Sequence, residues 1–130
     1  LKNHKDSNGK VGTIGWCYGG GVALSFALGG EHHDATAIFY GRLLTDPEKL
    51  SHLDHDFYGT FVENDRGIPV KDVEDFTRAL RGAGIGTDIH IYDEVSHGFW
   101  LYVDRNPEIN TGPAIDAWSR LKVFLENKLK

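Results

Sequence analysis

Hydrophobic positions along the chain fall in short continuous runs, separated by longer stretches that mix apolar and polar residues. The short runs predict buried strands at 11–16, 35–40, 57–62 and 87–92, the last with an alternation that suggests a sheet edge. The longer stretches predict helices at 18–28, 70–81 and 113–129. Because helices between buried strands are typical of parallel sheets with crossover connections, we predict an α/β fold. Its sheet is mostly parallel, with about four strands and flanking helices.

Length and composition indicate a single globular domain over residues 1–130, with 40% hydrophobic and 25% charged residues. The net charge is 14 − 19 = −5, which argues against a protein that binds nucleic-acid backbones through clustered lysine and arginine. The uncharged stretch 11–30 has the length of a membrane span, but its many glycines favour two short elements joined by a turn. One cysteine and no signal peptide predict a cytoplasmic location.

The sharpest local pattern is Gly15-Trp16-Cys17-Tyr18-Gly19-Gly20, placed after a predicted strand and before a predicted helix. This is the context of a nucleophile elbow, in which the nucleophile occupies a strained turn between the two elements. The residues two before and two after the nucleophile must be small, and here they are Gly15 and Gly19. We also expect the helix N-terminus to lower the pKa of the Cys17 thiol and to favour the reactive thiolate.

This turn has two other interpretations. Cys17 could be a small buried hydrophobic residue in a glycine-rich connection between strand and helix. A phosphate-binding loop is disfavoured, because no Gly-Lys-Ser/Thr follows and the dinucleotide pattern fails in register. We therefore predict no cofactor.

A thiol nucleophile needs a base, and the base needs an orienting acid. His97 lies just after the fourth predicted strand, at the carboxyl ends of the parallel strands, where such folds place ligands and catalytic groups. The acid is expected in the loop after the preceding strand, where Asp65 is the best candidate. Glu63, closer to that strand, and Asp93, in the loop of His97, are the alternatives. The order Cys17, Asp65, His97 is that of the nucleophile, acid and histidine in α/β-hydrolases.

The remaining histidines raise a metal-binding hypothesis. Segments 32–34 and 52–56 carry imidazoles and carboxylates, which are ligand types that zinc uses. No further ligand follows at a recognisable spacing, so we favour a solvated loop and predict no metal site. The lack of a second cysteine likewise disfavours a redox function.

Four aromatic residues close to these positions in sequence, or at the ends of predicted strands, are candidates for lining a substrate pocket. They are Trp16, Tyr40, Phe99 and Trp100. Such a pocket would suit an apolar or aromatic acyl group, whereas the alternative is that these side chains belong to the core.

Segments distributed along nearly the whole chain, from Lys2 to Leu129, resemble the dienelactone hydrolase family. In chain order they are Lys10-Val11-Gly12, the elbow segment from Gly15 to Gly20, Glu63-Asn64-Asp65, Gly67-Ile68-Pro69, Tyr92, His97-Gly98-Phe99, Arg105-Asn106-Pro107 and Ala117-Trp118. Because several segments agree in order and spacing, the resemblance is specific at the level of the family.

The resemblance implies an α/β-hydrolase fold with a Cys-His-Asp triad formed by Cys17, His97 and Asp65. It assigns the backbone N–H of Tyr18 as one oxyanion donor. The implied activity is hydrolysis of an ester or lactone bond in a small molecule, with neither nucleic acid nor membrane as partner. One position departs from the family: where its dienelactone-cleaving members carry an arginine four residues after the histidine, this chain has Leu101. Dienelactone itself is therefore not the expected substrate.

The resemblance also implies that the chain corresponds to the second half of the family's fold, with Leu1 near the end of the helix before the nucleophile strand. The chain has no methionine, in keeping with a piece of a longer or processed protein. The strand at 11–16 would then form an open sheet edge. The alternative function is accordingly a weak or inactive half-domain that forms a homodimer, or pairs with a partner, through that edge.

Overall fold

The predicted strands pair in sequence order, β1-β2-β3-β4, and every neighbouring pair is parallel in the computed structural model, which describes residues 1–130. The strands are β1 (Gly12–Trp16), β2 (Ala35–Phe39), β3 (Phe57–Val62) and β4 (Thr87–Tyr92). The helices are α1 (Tyr18–Gly29), α2 (Pro47–Leu50), α3 (Val70–Gly82) and α4 (Pro107–Leu129), with a 3₁₀ turn at Val103–Arg105. The predicted α/β class and mostly parallel sheet are confirmed.

Successive side chains of β3 point to opposite faces of the sheet and show where the helices lie. Tyr58 donates a hydrogen bond of 2.8 Å to the carbonyl of Ala117 in α4. Its neighbour Phe57 packs against Phe76 in α3, with ring centroids 5.1 Å apart. The helices α3 and α4 therefore cover opposite faces, and both faces of the central strands β2 and β3 are buried.

The two end strands of the sheet, β1 and β4, each have one neighbour. The predicted edge position of β4 agrees with its partly exposed residues. On β1, the side chain of Ile14 is 37% exposed. Pairing of this edge with another strand stays a prediction.

The last helix begins earlier than predicted, at Pro107 instead of Pro113. Asn106 precedes the first turn, and its carbonyl accepts the N–H of Asn110 at 2.9 Å. Pro113 lies inside the helix and cannot donate to the carbonyl of Ile109. Ile109 lies at the surface, and the helix continues through the proline without that bond.

No helix has both the length and the apolar character that a bilayer crossing would require. The uncharged stretch 11–30 is divided at Cys17 into β1 and α1, as the glycine content predicted.

The histidines that suggested a metal site or a solvated loop form a hydrogen-bonded chain at the start of β2. Asp54 bonds His32 at 2.7 Å and His55 at 2.8 Å, and Nε2 of His55 lies 2.7 Å from Oγ1 of Thr36. The same hydroxyl lies 2.9 Å from Nε2 of His33. The solvated-loop prediction is wrong for His33 and His55, which are buried, because Thr36 and Asp54 supply their polar partners. No group of three or more potential ligands stands close enough to hold a metal ion.

The fold should lose stability on mild acidification through His55. Burial is the largest cause that lowers the pKa of His55, so the folded state favours the neutral ring. The unfolded chain takes up this proton as the pH falls through about 6.5, and the folded chain resists it. The stability that the neutral ring of His55 contributes is therefore present above about pH 6.5 and is lost as the pH falls below that value. We expect a Tm several degrees lower at pH 5.5 than at pH 7.5.

The control is His55→Gln, which cannot titrate in this range. It should lower the Tm at pH 7.5 but reduce the further loss at pH 5.5. An equal loss in both proteins would assign the acid sensitivity to another group.

Candidate active site

The connection between β1 and α1 is a strained turn at Cys17. Its backbone angles are φ 52° and ψ −121°, a conformation that residues with a Cβ rarely adopt. The N–H of Cys17 donates to the carbonyl of Phe39 at 3.0 Å, and its carbonyl accepts the N–H of Gly20 at 3.0 Å. The thiol is thus presented at the carboxyl end of β1, directly before the helix, as the elbow pattern predicted.

Close backbone contacts on both sides of the turn explain its glycines. A Cβ on Gly15 would collide with the backbone of Gly19 and Gly20. A Cβ on Gly20 would lie 2.8 Å from the Cα of Gly41, and one on Gly41 would lie 2.6 Å from Gly20. A Cβ on Gly19 would meet nothing within 4 Å. The expectation that Gly19 itself must be small is therefore wrong, because it is the backbone of Gly19 that crowds Gly15.

The base and acid candidates are hydrogen bonded to each other. Nδ1 of His97, in the loop after β4, lies 2.6 Å from Oδ2 of Asp65, in the loop after β3. The other carboxylate oxygen of Asp65 accepts the N–H groups of Gly67 at 2.9 Å and Ile68 at 3.2 Å. The Asp65 side chain is 5% exposed and that of His97 is 45% exposed. A fixed, nearly buried carboxylate thus orients an accessible imidazole.

The alternative acids do not take this place. Glu63 and Asp93 are both exposed, and neither bonds to His97. Asp65 is the carboxylate that the fold brings to the histidine. The turn at 65–68 holds its side chain at the carboxyl end of β3, where it meets His97.

The Cys17 thiol is partly buried, and no hydrogen bond joins its Sγ to His97. Burial raises the pKa of Cys17, and the negative charge of Asp65 raises it further. The expectation that the helix N-terminus would lower this pKa is therefore wrong in direction. The resting group is a neutral thiol, so a base must remove its proton before the sulfur can attack.

The remaining predicted site residues lie around these groups. Tyr18 is the first residue of α1, so its N–H has no partner within the helix, and its side chain is 88% exposed. Phe99 is buried and contributes to the lining of a 290 Å³ cavity beside His97. Trp16 stacks on Trp100 with centroids 5.2 Å apart. Tyr40 is fully buried, which places it in the core, although its ring packs on that of His97.

Two features of the site were not predicted from the sequence. Gly41 supplies the close approach to Gly20, and Tyr40 has a positive φ of 37°. The one available signal was Gly41, which directly follows the predicted strand at 35–40 and marks a turn, whereas the strand itself ends one residue earlier, at Phe39.

The chain is similar to known proteins in both sequence and fold. The model of the dienelactone hydrolase family matches residues 1–129. Curated relatives carry the name "Putative carboxymethylenebutenolidase", and two of them are 30% identical to this chain. The one from Methylorubrum extorquens is 30% identical over 127 residues, covering 91% of this chain and 43% of the relative. The one from Saccharolobus solfataricus is 30% identical over 121 residues, covering 93% and 46%. The chain thus spans less than half the length of these two relatives.

A solved structure shows the same fold over the full chain. The dienelactone hydrolase-like promiscuous phosphotriesterase from metagenomic libraries aligns with a TM-score of 0.82 and 16% identity. The alignment covers 100% of this chain and 57% of that protein. At this identity the likeness supports the α/β-hydrolase fold and nothing about substrate.

The glycine contacts at the elbow predict a sharp difference between neighbouring substitutions. Gly15→Ala should destabilise the fold by about 1–3 kcal/mol or more, because the added methyl overlaps backbone that cannot move aside. Gly19→Ala is the matched control, since its methyl meets nothing and alanine favours a helix. Urea unfolding measures both. Equal destabilisation by the two variants would contradict the proposed close approach.

The raised pKa of Cys17 predicts slow alkylation at neutral pH. The rate with iodoacetamide should be below that of a free cysteine thiol at pH 7 and should still rise above pH 9, because only the thiolate reacts. Asp65→Asn removes a charge that opposes the thiolate, so its profile should move to lower pH.

Glu74→Gln, which removes an exposed charge from α3, is the control and should leave the profile unchanged. A wild-type alkylation midpoint well below the ordinary cysteine value would contradict this description of the thiol.

Proposed function

The chain belongs to the dienelactone hydrolase family, and on this premise we propose that it hydrolyses ester or lactone bonds through Cys17, His97 and Asp65. The observation that carries the proposal is the 2.6 Å hydrogen bond from His97 to a nearly buried Asp65. Cys17, at the same carboxyl end of the parallel sheet, is held in an elbow conformation. An orienting acid, a base and a strained nucleophile are the parts that acyl transfer needs.

The positions of the protons on His97 and Cys17 determine which group acts as the base in the first step. Asp65 accepts Nδ1–H of His97, which leaves Nε2 of the neutral ring free to act as a base. Because burial keeps Cys17 as a thiol, its proton passes to Nε2 as the sulfur attacks the carbonyl carbon. The imidazolium that results is stabilised by the carboxylate of Asp65.

The remaining steps complete the hydrolysis. The carbonyl oxygen gains negative charge in the tetrahedral intermediate, and we assign the backbone N–H of Tyr18, which has no partner within the helix, as a donor to it. Collapse of the intermediate breaks the bond to the alkoxy oxygen, which leaves with the proton from His97. A thioester on Cys17 remains. His97 then removes a proton from water, the hydroxide attacks the thioester, and the carboxylic acid leaves as the thiol is restored.

The cavity beside His97 is the place where we propose that part of the substrate sits. Its 290 Å³ is lined by His97, Phe99 and Tyr102 among others. Cys17 does not line this cavity. Its volume accommodates a small alcohol group next to the imidazole, which fits a small ester better than a polymer.

Activity assays with an aryl ester test the proposal. Cys17→Ala and His97→Ala should each abolish turnover, and Asp65→Asn should lower kcat by about 10²–10⁴-fold, because the imidazole loses its orienting partner. Circular dichroism should show that all variants remain folded.

Glu74→Gln serves as the control with unchanged kcat/KM. Turnover that survives in both Cys17→Ala and His97→Ala would refute the triad. A folded wild-type chain with no activity on a panel of esters and lactones would refute the hydrolase function.

A further inference from the structure

Tyr40 stands at the junction between the elbow and the histidine. It follows the last residue of β2 and has a positive φ of 37°, which residues with a Cβ adopt only where their surroundings enforce it. Such strain in a buried, non-glycine residue beside reactive groups calls for a physical reason.

The backbone around Tyr40 is held from three directions. Its own N–H donates to the carbonyl of Thr60 in β3 at 2.6 Å. The carbonyl of the preceding Phe39 accepts the N–H of Cys17 at 3.0 Å. The following residue, Gly41, packs against the backbone of Gly20 in α1. The conformation of Tyr40 is thus set by the same contacts that shape the elbow.

The side chain of Tyr40 extends from this fixed backbone to the imidazole of His97. The two ring centroids are 4.8 Å apart with an interplanar angle of 53°. The phenol ring also packs against Phe99, with ring centroids 5.9 Å apart, and it is fully buried. The ring therefore cannot move without disturbing the core, whereas the His97 side chain is 45% exposed.

The hydrogen bond to Asp65 alone does not fix the imidazole. A single bond at Nδ1 leaves the ring free to turn about the line between Nδ1 and the carboxylate oxygen, and that rotation would change the direction in which Nε2 points. An aromatic wall on one side of the imidazole restricts this rotation. The same backbone contacts hold the ring of Tyr40 and the turn at Cys17. The orientation of the His97 ring is therefore coupled to the position of Cys17.

We propose that Tyr40 is a positioning residue for His97, whose ring sets the imidazole plane so that Nε2 is directed at the Cys17 thiol. Its kinetic consequence rests on the proposed hydrolase function, but the placement of the imidazole does not. We assign the role to the ring, which packs on the imidazole, and not to the hydroxyl, which makes no hydrogen bond to His97.

The first measurement is NMR of the His97 ring protons, which a neighbouring aromatic ring shifts. Tyr40→Phe keeps the ring and should preserve the wild-type signals. Tyr40→Leu removes it, and the signals should move toward those of an unstructured histidine, with broadening of the Nδ1–H resonance bonded to Asp65. If Tyr40→Leu does not fold, Tyr40→Met fills a similar volume with a flexible chain and takes its place. Phe76→Leu, an equally buried ring loss between α3 and β3, is the control and should leave His97 unchanged.

The second measurement is steady-state kinetics on the same variants. Loss of the ring should lower kcat by roughly 10²-fold with KM nearly unchanged, because misplacement of the base affects the chemical step. Tyr40→Phe should stay within a few-fold of wild type.

Unchanged His97 signals in Tyr40→Leu or Tyr40→Met would overturn the inference, as would an equal loss of kcat in Tyr40→Phe. A wild-type chain without turnover would refute the hydrolase function instead, and the NMR comparison would still decide the role of Tyr40.

Discussion

The close approach of β1, α1 and the end of β2 shapes the candidate active site. Gly15 admits the backbone of Gly19, and Gly20 meets Gly41, so the chain at Cys17 is compressed into a conformation that a free cysteine would avoid. Stored backbone strain of this kind costs about 1–3 kcal/mol per residue and persists only when the surrounding fold compensates. The central strands β2 and β3, whose two faces are both buried, supply that compensation.

The parallel topology brings the other groups to the same place. Residues that follow each of the four strands lie together at the carboxyl end of the sheet: Cys17 after β1, Tyr40 after β2, Asp65 after β3 and His97 after β4. Their order in space therefore follows their order in sequence. Each is fixed differently, by a strained turn, a fully buried ring, backbone N–H donors and a carboxylate. The chemistry depends on these separate restraints agreeing in one geometry.

Much of this arrangement could be predicted because it is local in sequence. Strand and helix periodicity, the glycine pattern around Cys17 and the loops holding Asp65 and His97 each depend on a few neighbouring residues. Contacts between distant segments could not be predicted. The pairing of Gly20 with Gly41, the burial of His33 and His55 through Thr36, and the raised pKa of Cys17 arise only after folding. The predicted start of α4 was wrong because Pro113 is accommodated inside the helix instead of beginning it.

The most direct test is mass spectrometry of the protein quenched during turnover of an aryl ester. Transfer through Cys17 requires a thioester, so the mass of the acyl group should appear on the peptide that contains Cys17 and disappear as turnover ends. The adduct should be absent in His97→Ala, in which no base removes the thiol proton. Turnover with an acyl group on any other residue, or with none on Cys17 under conditions that trap thioesters, would contradict the proposed mechanism.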